Sequence, residues 1–254
     1  MARPLQTVKA AFLDLGGTLC QGDPLVLWAE DRWRDGLMPD KAHDRLRALS
    51  EAYRTGENAD VVARDATRVF AESLRGETWE RVYASAQAAW EHELRRRIFP
   101  FSRPLVQALK ARGFETWAVT GVAEPLASIL AGEVGIRRVL ATPLEVEDGV
   151  VRGVTDADFD GDWKAARAGG ILADPRVDLT RSLAVGDSGA DLSLMEKVGF
   201  AIAVHPKPDM REISRRRGYA VLEEELREPY ASSMGAWLDA VLAKVTKSVA
   251  REEQ

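Results

Sequence analysis

Five polar side chains stand at or near the ends of apolar segments, and their types suit work on a charged group. Asp14 follows the apolar run 8–13, and Thr120 follows the run 114–119. Lys164 opens a helical stretch, and Asp187 and Asp191 follow the run 182–185. The carboxyl ends of parallel strands lie along one edge of a sheet. We therefore expect three carboxylates, one ammonium group and one hydroxyl to converge there.

This set of side chains predicts metal-assisted chemistry on a phosphate group. Three carboxylates brought close together repel one another and raise each other's pKa values. A divalent cation removes that conflict, and hard oxygen ligands suit Mg²⁺. A cation, a lysine and a hydroxyl together stabilise the charge of a phosphoryl group. Asp14 could then attack phosphorus as a nucleophile.

The second half of the chain alternates between strand-like and helical patterns. The pattern predicts strands at 114–119, 139–140, 182–185, 200–204 and 219–222. It predicts helices at 104–112, 123–131, 160–172 and 191–198, and a C-terminal helix with apolar residues between 237 and 245. Glu147-Asp148-Gly149 predicts a hairpin within 144–154. Strands separated by helices indicate an α/β fold with a doubly wound parallel sheet.

The segment between the first strand and residue 98 has helical periodicity and no convincing strand. Apolar residues recur at helical spacing in two series: Ala42, Leu46, Leu49, Tyr53, and Trp79, Tyr83, Ala86, Trp90, Leu94. The segment therefore predicts a bundle of about four helices, inserted after the first strand as a cap above the strand ends. The predicted domains are a core of residues 1–20 and 99–254 and a helical cap of residues 21–98.

Composition narrows the class of protein. The 254 residues are 46% hydrophobic and 30% charged, which is typical of a globular chain. The net charge is -5 without a basic stripe, so we expect no nucleic-acid partner. No apolar stretch approaches the roughly 20 residues of a membrane span, so we expect no membrane association. A single cysteine, Cys20, and the lack of a signal-peptide core fit a cytoplasmic setting. The oligomeric state is not readable from the sequence.

Four motifs resemble those of the haloacid-dehalogenase superfamily of hydrolases. They are "FLDLGGTL", "TWAVTG", Lys164 and "VGDSGAD", within a resemblance that spans about residues 6–222. The runs "GIRRVLATPLEVEDGVVRG" and "GDSGADLSLMEKVGFAIAVHPKP" look most like the phosphoserine-phosphatase-like branch, which also has a helical cap between its first two motifs. The resemblance implies a Rossmann-like core and a magnesium-dependent phosphohydrolase acting on a small phosphorylated metabolite.

The resemblance also implies a role for each matched position. Asp14 would be the nucleophile that becomes an aspartyl phosphate, Thr120 would hydrogen-bond the phosphoryl group, and Lys164 would balance charge. Asp14, Asp187 and Asp191, with the backbone carbonyl of Gly16, would form the Mg²⁺ site. Gly16, Gly17, Gly121 and Asp23 would lie against the substrate.

Two positions depart from the family pattern. Gly16 stands where the family usually has a second aspartate, the general acid/base, so activity is expected to be slow or restricted to good leaving groups. Val122 stands where phosphoserine phosphatases continue a glycine pair, which weakens the expectation of an amino-acid substrate. Asp23, nine residues after Asp14, is a candidate substitute for the missing carboxyl group.

Two other classes of function stay open. A regulatory or binding protein could have kept the fold and metal site after the acid was lost. A hydrolase that attacks carbon is the third reading, and Asp187 and Asp191 argue against it because attack on carbon needs no metal. Retention of the other matched residues favours a phosphatase.

Overall fold

The computed structural model describes residues 7–55, 58–154, 162–223 and 233–243. Its centre is a parallel six-stranded sheet with helices on both faces, which confirms the predicted α/β class. The strands in this part of the chain are β1 (Lys9–Leu13), β2 (Phe114–Ala123), β3 (Arg138–Thr142), β4 (Glu145–Glu147), β5 (Val150–Gly153), β6 (Leu183–Gly186), β7 (Phe200–Val204) and β8 (Ala220–Leu222).

The strand order places β1 in the middle of the sheet, between β2 and β6. The sheet runs β3-β2-β1-β6-β7-β8, so the chain builds outward on one side of β1 and then on the other. The crevice at the carboxyl ends of such neighbouring strands is where α/β folds bind ligands. Side chains of β1 alternate between two apolar clusters: Ala11 and Leu13 face one, and Ala10 and Phe12 face the other. Burial on both faces explains why the strand is a continuous apolar run.

Ten helices in the described ranges are numbered in chain order. They are α1 (Pro24–Arg34), α2 (Asp40–Thr55), α3 (Ala59–Ser73), α4 (Trp79–His92), α5 (Ser102–Ala111), α6 (Glu124–Glu133), α7 (Trp163–Arg167), α8 (Gly169–Leu172), α9 (Leu192–Met195) and α10 (Pro208–Arg217). A further helix covers residues 233–243.

The first four helices, α1 to α4, lie between β1 and β2 and are called the helical insert below. They confirm the expected bundle, and Trp28 packs on Phe70 inside it with ring centroids 4.6 Å apart. Asp23 begins α1 as its N-cap and accepts a hydrogen bond from the Leu25 amide at 3.0 Å. The exact domain boundaries stay a prediction.

The predicted hairpin forms from β4 and β5. Asp148 and Gly149 both have positive φ, as a two-residue type I′ turn requires. Strand β5 also pairs with the loop between α3 and α4: Val151 donates to the Glu77 carbonyl and accepts from the Gly76 amide, both at 2.8 Å. Backbone hydrogen bonds therefore tie the helical insert to a segment that follows β3.

Several predicted boundaries need correction. Thr120 does not follow the second strand, because β2 continues to Ala123 with a register shift against β3 between Val119 and Ala123. The helix predicted at 160–172 is two short helices, α7 and α8. Its first two residues, and Val245 of the predicted C-terminal helix, lie outside the described residues. Helix α10 was not predicted. Among the described residues, no helix has the length and apolar character needed to cross a bilayer.

Candidate active site

Asp14 leaves β1 at the carboxyl edge of the sheet, where its side chain is buried. Its amide donates to the Val185 carbonyl at 3.0 Å, which holds it beside β6. Its Oδ2 accepts a hydrogen bond from Thr18 Oγ1 at 3.2 Å. Lys164 Nζ donates to its Oδ1 at 2.8 Å. Both carboxylate oxygens are thus held in fixed directions.

Lys164 connects two of the three carboxylates. Helix α7 begins at Trp163 and presents Lys164 in its first turn, where the side chain is 4% exposed. Besides Asp14, its Nζ donates to Asp191 Oδ1 at 2.5 Å. The other oxygen of Asp191 accepts from the amides of Asp187 and Ser188 at 3.1 and 3.2 Å. Asp191 is therefore fixed by the turn that follows β6.

The three carboxylates fit a divalent cation. Asp14, Asp187 and Asp191 each offer an oxygen within 4.8 Å of the others, and all three side chains are buried. Asp187 Oδ1 has no hydrogen-bond partner although it is buried. A buried carboxylate oxygen without a partner is costly unless something binds it. Oxygen donors of this kind suit Mg²⁺.

Burial controls the protonation of these acids. It raises the pKa of Asp14 to about 6, with Lys164 acting to lower it and Asp191 to raise it. It raises the pKa of Asp187 to about 7, against the lowering effect of Lys207. For Lys164, burial acts to lower the pKa, but Asp14 and Asp191 outweigh it and the pKa lies above its usual value. Lys164 is therefore a permanent positive charge in the site.

Gly17 leaves room for the Asp187 side chain beside the first motif. Its φ of 76° is in the left-handed region, and an ideal Cβ there would lie 2.1 Å from Asp187 Oδ2. Gly16 has a different neighbour: an ideal Cβ would lie 2.8 Å from Pro24 Cδ. The space that a side chain at position 16 would need is thus occupied by the first residue of α1.

Thr120 and Gly121 form another part of the wall of the site. Thr120 is 1% exposed, and its Oγ1 accepts from the Val122 amide at 3.3 Å. The Gly121 carbonyl accepts from Thr142 Oγ1 at 2.8 Å and from Thr67 Oγ1, on α3 of the helical insert, at 3.3 Å. A Cβ on Gly121 would lie 3.2 Å from that Thr67 oxygen. The helical insert therefore contacts the site directly at Gly121.

A cavity of about 620 Å³ is lined by most of these groups. Sequence-predicted residues in its wall are Asp14, Gly16, Gly17, Asp23, Thr120, Gly121, Lys164 and Asp187. Asp191 lies just behind the wall, against Lys164. Burial raises the pKa of Asp23 above its usual value, while the Leu25 amide and Lys207 act to lower it. The structure thus brings the predicted residues together, and their chemical roles stay proposals.

Sequence reasoning missed several residues of the wall. Lys207 contacts Asp187, and Tyr53 hydrogen-bonds Ser188 with 2.8 Å between their oxygens. His205 also lines the cavity and lies against Phe99, with ring centroids 4.7 Å apart. The position of Lys207 after a strand could have been noticed, because β7 ends at the same edge. Tyr53 gave no such signal, since its spacing marked it as part of an apolar helix face.

Comparisons with known proteins agree with this geometry. The haloacid dehalogenase-like hydrolase family matches residues 11–196. A putative hydrolase of Mycobacterium leprae is 26% identical over 95% of this chain and 83% of its own length. The phosphoserine phosphatase SerB1 of Mycobacterium tuberculosis is 24% identical over 98% of this chain and 83% of its own length.

Solved structures share the fold. A Bordetella pertussis protein of unknown function has a TM-score of 0.70 and 27% identity, covering 85% of this chain and 99% of its own. A phosphoserine phosphatase in its apo form has a TM-score of 0.59 and 18% identity, covering 86% and 94%. The chain therefore belongs to the haloacid dehalogenase-like hydrolases and is an enzyme similar to phosphoserine phosphatases.

Proposed function

We propose that this enzyme is a magnesium-dependent phosphohydrolase that acts on a small phosphorylated metabolite through an aspartyl phosphate on Asp14. The observation that carries the proposal is the placement of Lys164 between Asp14 and Asp191, beside the unpartnered Oδ1 of Asp187. One buried cation and three buried carboxylates at the end of β1 suit a phosphoryl group together with a divalent cation.

In the first half-reaction, a carboxylate oxygen of Asp14 forms a bond to phosphorus while the bond from phosphorus to the leaving oxygen breaks. Lys164 and Thr18 hold the two oxygens of Asp14, so the carboxylate needs no reorientation. Lys164 also offsets the negative charge that gathers on the phosphoryl group. Thr120 would donate its hydroxyl hydrogen to a phosphoryl oxygen.

Asp14, Asp187, Asp191 and the carbonyl of Gly16 would hold Mg²⁺. When bound, Mg²⁺ would supply positive charge that neutralises the carboxylates and the phosphoryl oxygens. Asp191 is less available than the other two acids, since one of its oxygens is bound to Lys164 and the other to two backbone amides. We therefore assign Asp191 a supporting part in the metal site.

The leaving group sets the limit on this reaction. Gly16 has no carboxyl group to protonate the leaving oxygen or to activate water in the second half-reaction. Turnover should be slow, or restricted to leaving groups that are stable as anions, as in acyl phosphates, phosphoanhydrides and aryl phosphates. General acid/base help is worth roughly a hundred- to ten-thousand-fold in rate. Relatives include phosphoserine phosphatases, but Val122 follows Gly121 here, and we assign no amino-acid substrate.

A second candidate is a binding or regulatory protein with weakened catalysis. The observation that favours it is the packing of Pro24 into the space beside Gly16. The intact arrangement of Asp14, Lys164 and Asp187 favours the enzyme.

The cytoplasmic setting expected from the single cysteine stays a prediction.

Phosphate release from a set of phosphorylated metabolites, measured with Mg²⁺ and with a chelator, tests the proposal. We expect release that needs Mg²⁺ and that falls below about a hundredth in Asp14→Asn, because loss of the nucleophile removes the covalent route. Circular dichroism should show Asp14→Asn to be folded. Equal release by the two proteins, or no release from any substrate by the wild type, would contradict the phosphatase.

A further inference from the structure

Lys207 is a second lysine at the carboxylate cluster, and the proposed reaction does not use it. It lies between β7 and α10, and its amide donates to the Asp187 carbonyl at 2.8 Å. This hydrogen bond fixes the β7–α10 loop against the turn after β6. The side chain is 14% exposed, so most of it is enclosed by the wall of the cavity.

The ammonium group of Lys207 lies between Asp187 and the helical insert. Its Nζ forms an ion pair with Asp187 Oδ2. The same atom lies 3.9 Å from the centroid of the Tyr53 ring, within the range of a cation–π contact. The Tyr53 hydroxyl is in turn 2.8 Å from Ser188 Oγ. A residue of α2 thus holds Lys207 on Asp187 from above.

Asp187 is therefore shared between two cations of different kinds. Its Oδ2 is enclosed by Lys207 and the backbone at Gly17, while its Oδ1 faces no donor. A divalent cation that binds Asp187 comes close to the ammonium group and is repelled by it. Lys164 and Lys207, which both pair with carboxylates of the cluster, already offset two of the three negative charges and leave one.

We infer that Lys207 competes with the divalent cation for Asp187, and that Tyr53 keeps Lys207 in place. The inference rests on the metal site of the proposed function. When the cation binds Asp187 Oδ1, it repels the ammonium group on Oδ2, and any shift of that group changes its contact with Tyr53. Metal binding in the core is in this way coupled to α2 of the helical insert.

Mg²⁺ affinity measured by isothermal calorimetry tests this directly and needs no substrate. Lys207→Met removes the charge and keeps an unbranched side chain, so we expect its Kd for Mg²⁺ to be at least tenfold lower than that of the wild type. Lys207→Arg keeps the charge and should stay within about threefold of the wild type. The matched control is Lys197→Met, which removes the same charge from an exposed side chain just before β7, at the opposite edge of the sheet.

A double-mutant cycle tests the part played by Tyr53. Tyr53→Leu removes the ring that holds the ammonium group, so it should lower the Kd at least twofold in the wild type and leave it unchanged in Lys207→Met. An equal effect of Tyr53→Leu in both backgrounds would show that the ring does not act through Lys207.

The possible failures are distinguishable. If Lys207→Met binds Mg²⁺ no more tightly than the wild type and Lys197→Met, the competition is refuted while the metal site stands. If no variant binds Mg²⁺, the metal site of the proposed function is refuted, and this inference with it. Melting temperatures in a chelator check that each variant is folded.

Discussion

Introducing a carboxyl group at position 16 tests most directly whether the lack of a general acid limits the reaction. In Gly16→Asp we expect hydrolysis of alkyl phosphates to rise at least tenfold in kcat/KM, because an alkoxide leaving group gains most from a proton donor. Hydrolysis of aryl phosphates should change much less, since a phenolate leaves without one. General acid/base help is worth roughly a hundred- to ten-thousand-fold, and imperfect placement of the new carboxyl group lowers the gain.

The structure predicts a cost for this substitution. A Cβ at position 16 would lie 2.8 Å from Pro24 Cδ, closer than such atoms approach, so α1 or its first turn must shift. Inserting atoms into a packed site typically costs about 1–3 kcal/mol. For a chain of this size that corresponds to a melting temperature lower by about 2–12 °C. Gly16→Ala adds the same Cβ without the carboxyl group and is the matched control.

The assay is steady-state hydrolysis of one alkyl and one aryl phosphate by the wild type, Gly16→Ala and Gly16→Asp. The two variants should lose similar thermal stability, and only Gly16→Asp should raise the ratio of alkyl to aryl turnover. If the wild type already hydrolyses both substrates equally well and the ratio is the same in all three proteins, another residue donates the proton. Our interpretation of Gly16 would then be wrong.

Three further predictions follow from the same contacts. Mg²⁺ should raise the melting temperature of the wild type, and should raise it less in Asp187→Asn, because a ligand bound only by the folded state stabilises that state; an equal shift would place the metal elsewhere. Asp23→Asn keeps the N-cap on the Leu25 amide but removes the candidate substitute acid; because we expect no proton donor at the leaving group, kcat/KM should change less than about threefold, with little change in melting temperature, and a fall of about tenfold or more would make Asp23 the proton donor. In a chelator, the free energy of unfolding should fall as the pH rises from about 4 to about 7. Burial raises the pKa of Asp14 to about 6 and that of Asp187 to about 7, so the folded state binds more protons than the unfolded state in this window. Urea unfolding at several pH values checks this, and Asp14→Asn/Asp187→Asn should flatten the slope.

The sheet was predictable because its strands are buried on both faces and read as continuous apolar runs. The run 200–204 matches β7 at both ends. The end of β2 was misplaced because Thr120-Gly121 has the composition of a turn, whereas Gly121 is needed for close packing against Thr67. Helix α10 was missed since its sequence is strongly charged and its apolar positions are too few to give a helical period.

The site was predictable where it depends on strand ends and unpredictable where it depends on packing between distant segments. Asp14 and Asp187 follow adjacent strands, so topology alone brings them together. Tyr53 reaches the site only because the helical insert lies over the strand ends, which fixes a contact between residues 135 positions apart. Likewise, no pattern in the sequence indicates that Pro24 fills the space beside Gly16.

The residues around Asp14 fall into two groups, one that would hold the phosphoryl group and the metal and one that would serve the leaving group. The first group is present. Lys164 donates a hydrogen bond to Asp14, and Gly17 leaves room for Asp187, because a Cβ at position 17 would collide with Asp187 Oδ2. The second group lacks a carboxyl group, and Pro24 packs where a side chain at position 16 would stand. A scaffold that had lost its function would have no physical reason to keep a buried lysine and three buried carboxylates together, since each is costly to bury without a ligand or a partner. The retained Lys164 and the three carboxylates thus favour an enzyme, limited in its leaving group by the missing carboxyl group at position 16, over a protein without chemistry.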